Sequence, residues 1–378
     1  MHACGVHRSS NVNACILLAR VAYWGHRQTV NVFICGLTPA RKRWSLVSDR
    51  PPTLHDVAQH AGVSTATVSR VLNGGPVRPG TARLVRDVVK RLGYVPNQVA
   101  RGLVTGRSMV VGVLVPDLVG PLNAAIARGV EDVLEAHGMH AVIVTDHRDV
   151  RRETKRIQTL VARRVDGLVL IGSELGDPAL GDVAPATPVV HVGAERAATD
   201  DRFPEVRIDN HAGIAKALER LAGLGHRRIA HLAGPRRDGR ERNEAITTLA
   251  PRYGLTLAHV VDTDFSEEAG RDAGATLLTH RDFTAVLCAN DRSAAGLYQV
   301  ARERGLRLPD DLTVLGFDDL PWSAYLAPPL TTLRQPGRDM GRLAAERLLH
   351  PEDPDAWRGV RTLVPDLVAR ESMAPPPT

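Results

Sequence analysis

Between Gly62 and Gly75 the sequence reads GVSTATVSRVLNGG, and its polar side chains are of a restricted kind: hydroxyls at Ser64, Thr65, Thr67 and Ser69, a guanidinium at Arg70 and an amide at Asn73. No base or acid accompanies the hydroxyls, so the stretch is suited to hydrogen bonding rather than to nucleophilic chemistry. Its apolar residues decide which way those groups face. Val68, Val71 and Leu72 recur at helical spacing, Ser64 is placed to cap the helix start, and Asn73-Gly74-Gly75 stops it. Upstream, TLHDVAQHAGV sets Leu54, Val57, Ala58 and Ala61 on one face, with Thr53 and Asp56 spaced as a capping box and Gly62 as the terminator. Downstream, Pro79 opens a third helix that runs through Leu84, Val88 and Leu92 to Gly93. Three short helices with a glycine turn between the first two describe a helix-turn-helix.

In such a unit the second helix, here 64–72, approaches base edges with its first residues while its flanks hold phosphates. Thr65 and Ala66 are the first solvent-facing positions; a threonine offers a hydrogen bond or a methyl contact, and an alanine only the latter. Arg70, one turn on, suits bidentate contact with a guanine, worth about 1–3 kcal/mol of discrimination. Thr53, Thr67, Ser69 and Asn73 are suited to phosphate oxygens, and Ser64 belongs to the same DNA-facing set. The plainer reading is that these are helix caps and a surface arginine.

Charge supports the first reading. The chain has 378 residues and a formal net charge of +6, but the charge is unevenly placed. Residues 1–50 carry seven basic and one acidic side chain, 51–107 eight and two, and 108–378 33 and 39. A small basic block ahead of an acidic body fits a polyanionic partner. Residues 1–50 show no sustained period and are read as an extension outside the folded protein, since translation from near Val47 would lose no motif; a basic arm adding DNA affinity is the alternative. The four cysteines, Cys4, Cys15, Cys35 and Cys288, form neither CxxC pairs nor a set with histidine at metal spacing, so no disulfide framework, metal or other cofactor is expected. No apolar run reaches the roughly 18 residues of a membrane span, and no export signal is recognisable, so a cytoplasmic location is expected.

Behind YVPNQVARGLVTGRS, apolar runs recur at 109–115, 140–145, 166–172, 188–193, 227–234, 284–290 and 312–318, separated by amphipathic stretches such as LNAAIARGVEDVLEAHG and NHAGIAKALERLAGLG. Strands that are apolar throughout, alternating with helices, imply parallel sheets covered on both faces, an α/β class. Some 270 residues of this exceed one such sheet, so two lobes with a cleft are expected. The organisation read from the sequence is 51–96 for the helix-turn-helix, 97–107 for a hinge and linker, 108–373 for the two lobes and 374–378 for a tail. An enzyme is not expected: GxxxxGK[ST], GxSxG and HExxH are absent, no GxGxxG follows a strand, and no catalytic residue is nominated.

The motifs TLHDVAQHAGVSTATVSRVLNG, LGYVPNQVARGL and FDDLPWSAYLAPPLTTLRQP, in this order, resemble the lactose-repressor family of bacterial transcription regulators over about residues 53–373. The resemblance implies a dimeric repressor on a pseudo-palindromic operator, controlled by a small molecule held between two lobes similar to those of periplasmic sugar-binding proteins. It implies that NQVARGL, with Asn97, Ala100 and Leu103, folds as a hinge helix on DNA and pushes Leu103 into the minor groove as an apolar wedge. Gly102 stands where a serine is common, which weakens that helix by about 1 kcal/mol relative to alanine. For the effector it implies Arg242, with Arg240 nearby, in GRERN, Phe265 in DFSEEAG, Asn290 in CAND, Asp318 in GFDD, Gln335 in LRQP and Asn123 in GPLN. Asn290 and Asp318 also suit a plain capping role after strands. Leu122 and Asn123 replace family aromatics and Gly193 an aspartate, so the pocket differs from familiar sugar sites. A sugar is the first expectation for the ligand, with a nucleoside or other metabolite left open, and a transport component without DNA binding is the rival function. No C-terminal heptad follows Glu371, so a zipper tetramer is not expected.

Overall fold

The computed structural model describes residues 51–96, 106–193, 202–280, 282–350, 357 and 359–377. Its contacts divide into two compact units, with the boundary after Asn97. The hinge residues Asn97, Ala100 and Leu103 lie outside the described residues.

The first unit is α1 (Leu54–Ala61), α2 (Thr65–Leu72) and α3 (Pro79–Leu92). Both halves of the capping box at Thr53 and Asp56 form, and Gly62 ends α1 at φ 62, a left-handed conformation that glycine adopts without a Cβ penalty. Val57, Ala58, Ala61, Val68, Val71, Val85 and Val88 make the core, with Leu54, Leu72 and Leu92 packed against it. One expectation fails here. Leu84 is 48% exposed and Val85 takes the core position. Either residue is compatible with a helical repeat through Val88 and Leu92, and packing against α1 and α2 selects the face.

Among its described residues the second unit holds two six-stranded sheets. Lobe 1 begins with β1 (Val110–Val115), α4 (Pro121–Ala136), β2 (His140–Thr145), α5 (Val150–Ala162), β3 (Gly167–Ile171), α6 (Asp177–Val183), β4 (Val189–Val192) and β5 (Glu205–Ile208). The chain crosses to lobe 2 for α7 (Asn210–Gly223), β6 (Arg228–Ala233), α8 (Arg236–Leu249), β7 (Thr256–Asp262), α9 (Glu267–Leu277), β8 (Ala285–Cys288), α10 (Asp291–Glu303), β9 (Thr313–Asp318) and β10 (Thr331–Arg334). It returns for α11 (Gly337–Leu349) and β11 (Val360–Leu363) and crosses again to β12 (Asp366–Val368). The sheet orders are β11-β5-β4-β3-β1-β2 and β12-β10-β9-β8-β6-β7. All neighbours are parallel except β10 and β12. Three crossovers therefore join the lobes, at 208–210, 334–337 and 363–366.

The seven strands expected from apolar runs are β1, β2, β3, β4, β6, β8 and β9, each within one or two residues at either end. The five not expected, β5, β7, β10, β11 and β12, carry charged or polar residues such as Glu205, Arg207 and Asp262 that break an apolar run. The return helix α11 docks on α4 at unusually close range: a Cβ at Gly341 would lie 2.0 Å from the Ile126 carbonyl oxygen, and one at Gly129 2.0 Å from that of Arg338. Beyond β12 the chain stays bonded to lobe 2, where Ser372 Oγ donates to Val314 O at 2.6 Å and Ala374 N to Thr313 Oγ1 at 3.1 Å.

Candidate functional site

On the helix-turn-helix, burial of Val68 and Val71 turns the other side of α2 outward, and Ser64, Thr65, Ala66, Arg70 and Asn73 are all exposed. Some of the hydroxyls already have work. Ser64 Oγ accepts from Thr67 N at 3.2 Å and lies 3.0 Å from Thr67 Oγ1. Thr53 Oγ1 donates to Asp56 Oδ2 at 2.7 Å. Asn73 Nδ2 donates to Ser69 Oγ at 3.2 Å, bracing the end of the helix. Thr65, Ala66 and Arg70 fall on one exposed stripe of α2, opposite the core.

In the second unit, the carboxyl ends of β1, β3, β4, β5, β9 and β10 converge on a cavity of about 170 Å³ between the lobes. Open parallel sheets bind ligands at these strand ends. Asn123, Arg242, Phe265, Asn290, Asp318 and Gln335 all line it. Arg240 does not; it lines an adjoining outer hollow. Two residues along a helix turn the side chain by about 200°, so Arg240 and Arg242 of α8 cannot face the same way.

Arg242 is 3% exposed and held on three sides. Its Nε donates to Asn210 Oδ1 at 2.9 Å, its Nη1 to the Ala289 carbonyl at 2.6 Å, and its guanidinium lies 3.5 Å above the Phe317 ring centroid. None of these partners carries a charge, and the nearby Asp318 supplies the electrostatic complement. Asp318 keeps part of its surface toward the cavity, yet the surrounding protein strips enough water that burial pushes its carboxyl up to about 7. The positive charge of Arg242 and a bond from Gln335 pull the other way, and the negative charge of Asp291 adds to the rise. Gln335 Nε2 donates to Asp318 Oδ1 at 2.6 Å. Asp318 and Phe265 both have positive φ, 117 and 72, the kind of backbone strain that gathers at binding sites.

Asn290 serves as a cap, as the plainer reading held: its Oδ1 accepts from Ser293 N at 2.9 Å, while its Nδ2 donates to the Phe265 carbonyl at 3.0 Å and so holds the aromatic loop at the cavity. Asn123 Nδ2 donates to the Asp117 carbonyl at 3.4 Å.

Sequence reasoning missed Asp117, Arg148, Arg236, Asp238 and Arg292, which also line the cavity. Asp238 was legible, since it lies four residues before Arg242 on the same face of α8. Two further groups connect the lobes. Arg236 pairs with Glu174 of lobe 1, and Arg237 Nη1 reaches the fully buried Glu205 of β5 at 3.1 Å. Burial opposes ionisation of Glu205, but the bond from Arg207 and the charge of Arg237 outweigh it and hold the carboxyl below its usual range.

The cavity is wired to the crossovers. Asn210, at the first crossover, accepts from Arg242 and donates to Asp238 Oδ1 at 3.1 Å and Glu241 Oε2 at 2.8 Å. Gln335, at the second, is the partner of Asp318. A displacement of either cavity residue therefore acts on a segment that sets the angle between the lobes.

Comparison with known proteins agrees with both units. Residues 53–97 match the family described as bacterial regulatory proteins, lacI family, and residues 218–373 match a periplasmic binding protein-like domain. The chain is 32% identical to catabolite control protein A of Priestia megaterium over 78% of its own length and 91% of that protein. It is 34% identical to the ribose operon repressor of Halalkalibacterium halodurans, over 85% of its length and 96% of that protein. Among solved structures, the lac repressor dimer bound to operator and the anti-inducer ONPF superimposes with a TM-score of 0.78 at 29% identity, covering 86% of this chain and all of the other.

Proposed function

Because the chain belongs to the lacI family of bacterial regulatory proteins, we propose that it is a sequence-specific DNA-binding repressor whose hold on its operator is set by a small molecule, a sugar in the first instance, bound between the lobes. The observation that carries the allosteric part is the double attachment of the cavity to the crossovers, Arg242 to Asn210 and Asp318 to Gln335. A ligand that takes up Arg242 and Asp318 changes the partners available to Asn210 and Gln335 and so prefers one lobe angle. The operator affinity then shifts by the difference in ligand affinity between the two angles.

In this reading Thr65, Ala66 and Arg70 read bases, and Thr53, Ser64, Thr67, Ser69 and Asn73 position the unit on phosphates, with Ser64 and Thr53 also serving as caps. Asn97, Ala100 and Leu103 act as the hinge wedge, and the protein works in the cytoplasm. In the cavity Arg242 donates to ligand hydroxyls, Asp318 and Gln335 accept and donate, Phe265 stacks, and Asn123 and Asn290 complete the wall. A volume of about 170 Å³ lies below the ~300–1,000 Å³ of pockets for drug-sized ligands and suits a single sugar ring.

A homodimer follows from the reading of a two-fold site, because one short helix contacts too few base pairs. The lac repressor relative is a dimer on its operator. In this chain the edge strand β2 leaves Val142 and Ile143 38% and 37% exposed, one on each face, and the loop before α4 exposes Leu118 and Val119, apolar residues available to a second copy.

The test is fluorescence anisotropy of the purified chain on a palindromic fragment from beside its own gene, titrated with a panel of sugars. Tight, salt-sensitive binding that one sugar changes, with the change lost in Asp318→Ala, is the expected result. Binding indifferent to sequence at fixed salt would overturn it.

A further inference from the structure

At the edge of the lobe 2 sheet, three side chains with metal-binding chemistry meet. His259 comes from β7, and His280 and Asp282 from the segment that leads into β8. One donor atom from each, two imidazole nitrogens and a carboxylate oxygen, lies within 4.8 Å of the other two. Among the described residues this is the one such group of three. His259 and His280 are 21 residues apart, so no local motif announces them, and only the pairing of β6 with both β7 and β8 brings them together. The group lies toward the amino ends of β6 and β8, which begin at Arg228 and Ala285, whereas the effector cavity takes the carboxyl ends.

The carboxylate is already oriented. Arg228 of β6 pairs with Asp282 Oδ2, and its Nε donates to the Asp282 carbonyl at 2.5 Å. That leaves Oδ1 to His259, whose Nε2 lies 2.7 Å away. Carboxylates that bind metals characteristically carry an outer partner of this kind. The His280 ring stacks on that of His259, with centroids 3.9 Å apart and planes 18° from parallel, and Phe283 meets His259 edge on at 5.9 Å. A plain hydrogen-bonded pair accounts for His259 and Asp282. It does not account for His280, which is exposed, lies against His259 and makes no hydrogen bond or ion pair among the described residues.

We propose that His259, His280 and Asp282 form a binding site for a divalent transition-metal ion, zinc in the first instance, with water completing the coordination. Calcium and magnesium take oxygen ligands, whereas two imidazoles and one carboxylate form a donor set that zinc uses. Tetrahedral bonds of about 2.0–2.1 Å place ligand atoms about 3.3 Å apart. The donors therefore close by at most about 1.5 Å, a movement within reach of the side-chain torsions of His280 and Asp282, both of which are exposed. The ion displaces the proton between His259 Nε2 and Asp282 Oδ1, and the neutral imidazole carries its proton on Nδ1 instead. Bound there, the ion ties β7, an edge strand with no fully buried residue, to the entry of β8, and it stabilises the folded chain by mass action.

The test uses the full-length chain freed of metal with EDTA. Residues 1–50 hold further histidines and cysteines, so the site is read as a difference between variants. Zinc chloride is titrated by calorimetry into the wild type, H259Q, H280Q and H259Q/H280Q, with far-UV circular dichroism confirming that each is folded; H280Q, at an exposed position, keeps the test valid if the double variant does not fold. The wild type should bind one equivalent more than H259Q/H280Q, and each single substitution should weaken that equivalent about tenfold or more. Micromolar zinc should raise the unfolding midpoint of the wild type more than that of H280Q, and magnesium and calcium should produce no such difference. Equal numbers of zinc equivalents in the wild type and H259Q/H280Q, with H280Q binding zinc as tightly as the wild type, overturn the proposal. An additional equivalent that fills only at millimolar zinc, an adventitious ion only, overturns it too, as does one that magnesium fills equally well.

Discussion

Replacing Asp318 by asparagine should stabilise the protein and weaken its function. The carboxyl moves from an ordinary 3.8 to about 7 on folding, so the folded state holds a proton that the unfolded chain has released. Between these two values the native state binds more protons than the unfolded state, and stability falls as pH rises through the window. About three units at 1.36 kcal/mol each make an upper figure of ~4 kcal/mol lost by pH 8. Relaxation of a site open to a cavity reduces this to about 2–4 kcal/mol. The amide introduced by D318N would keep the shape and the bond from Gln335 but never ionise, so the variant avoids the loss. By scanning calorimetry it should melt roughly 5–10 °C above wild type at pH 8, and the gap should close as pH falls toward 4. Ligand affinity provides a second readout. If the ionised carboxylate is the acceptor for a ligand hydroxyl, wild-type affinity should rise about tenfold between pH 6 and pH 8, and that slope should vanish in D318N. A variant no more stable than wild type at pH 8, or a gap unchanged at pH 4, would mean that Asp318 ionises normally and that the burial argument is wrong.

Arg70→Ala should weaken binding to the cognate operator by about 1–3 kcal/mol, read by anisotropy, while leaving binding to random DNA much less affected; equal losses on both would move Arg70 to a phosphate. Asn210→Ala should uncouple effector from operator: calorimetry should still detect ligand, but ligand should no longer change operator affinity, and a normal response would remove Asn210 from the coupling route. Gly341→Ala should push α11 off α4, because its Cβ would lie 2.0 Å from the Ile126 oxygen; a loss of about 3 kcal/mol or more in urea melts is expected, and an unchanged midpoint would show that the helices separate freely.

Particular residues show how far the sequence could be read. α1 and α2 were legible to the residue because their caps are local: Thr53 and Asp56, Ser64, and Gly62 act within a few positions of themselves. The apolar strands were legible for a related reason, since β1, β3, β4, β8 and β9 are covered on both faces and must be apolar throughout. β7 was not, because it lies at a sheet edge, pairs among the described residues with β6 alone, and has no fully buried residue. In α3 the repeat allowed Leu84 or Val85 to face inward, and only the surface offered by α1 and α2 chose Val85.

The residues proposed to carry function divide in the same way. Thr65, Ala66 and Arg70 follow from the sequence alone, because one helix with a buried valine stripe necessarily presents its opposite side, and so does the reading of two lobes from the recurring strands. What only the tertiary structure decided is the meeting of groups distant along the chain: Asp117 and Arg148 of lobe 1 with Asp238, Arg242 and Asp318 of lobe 2, and the bonds that tie Arg242 to Asn210 and Asp318 to Gln335. Those contacts depend on three separate crossings between two sheets. No local propensity encodes them, because the free energy that brings them together comes from burying both lobes' cores, and the polar groups at the seam are carried into place by that packing.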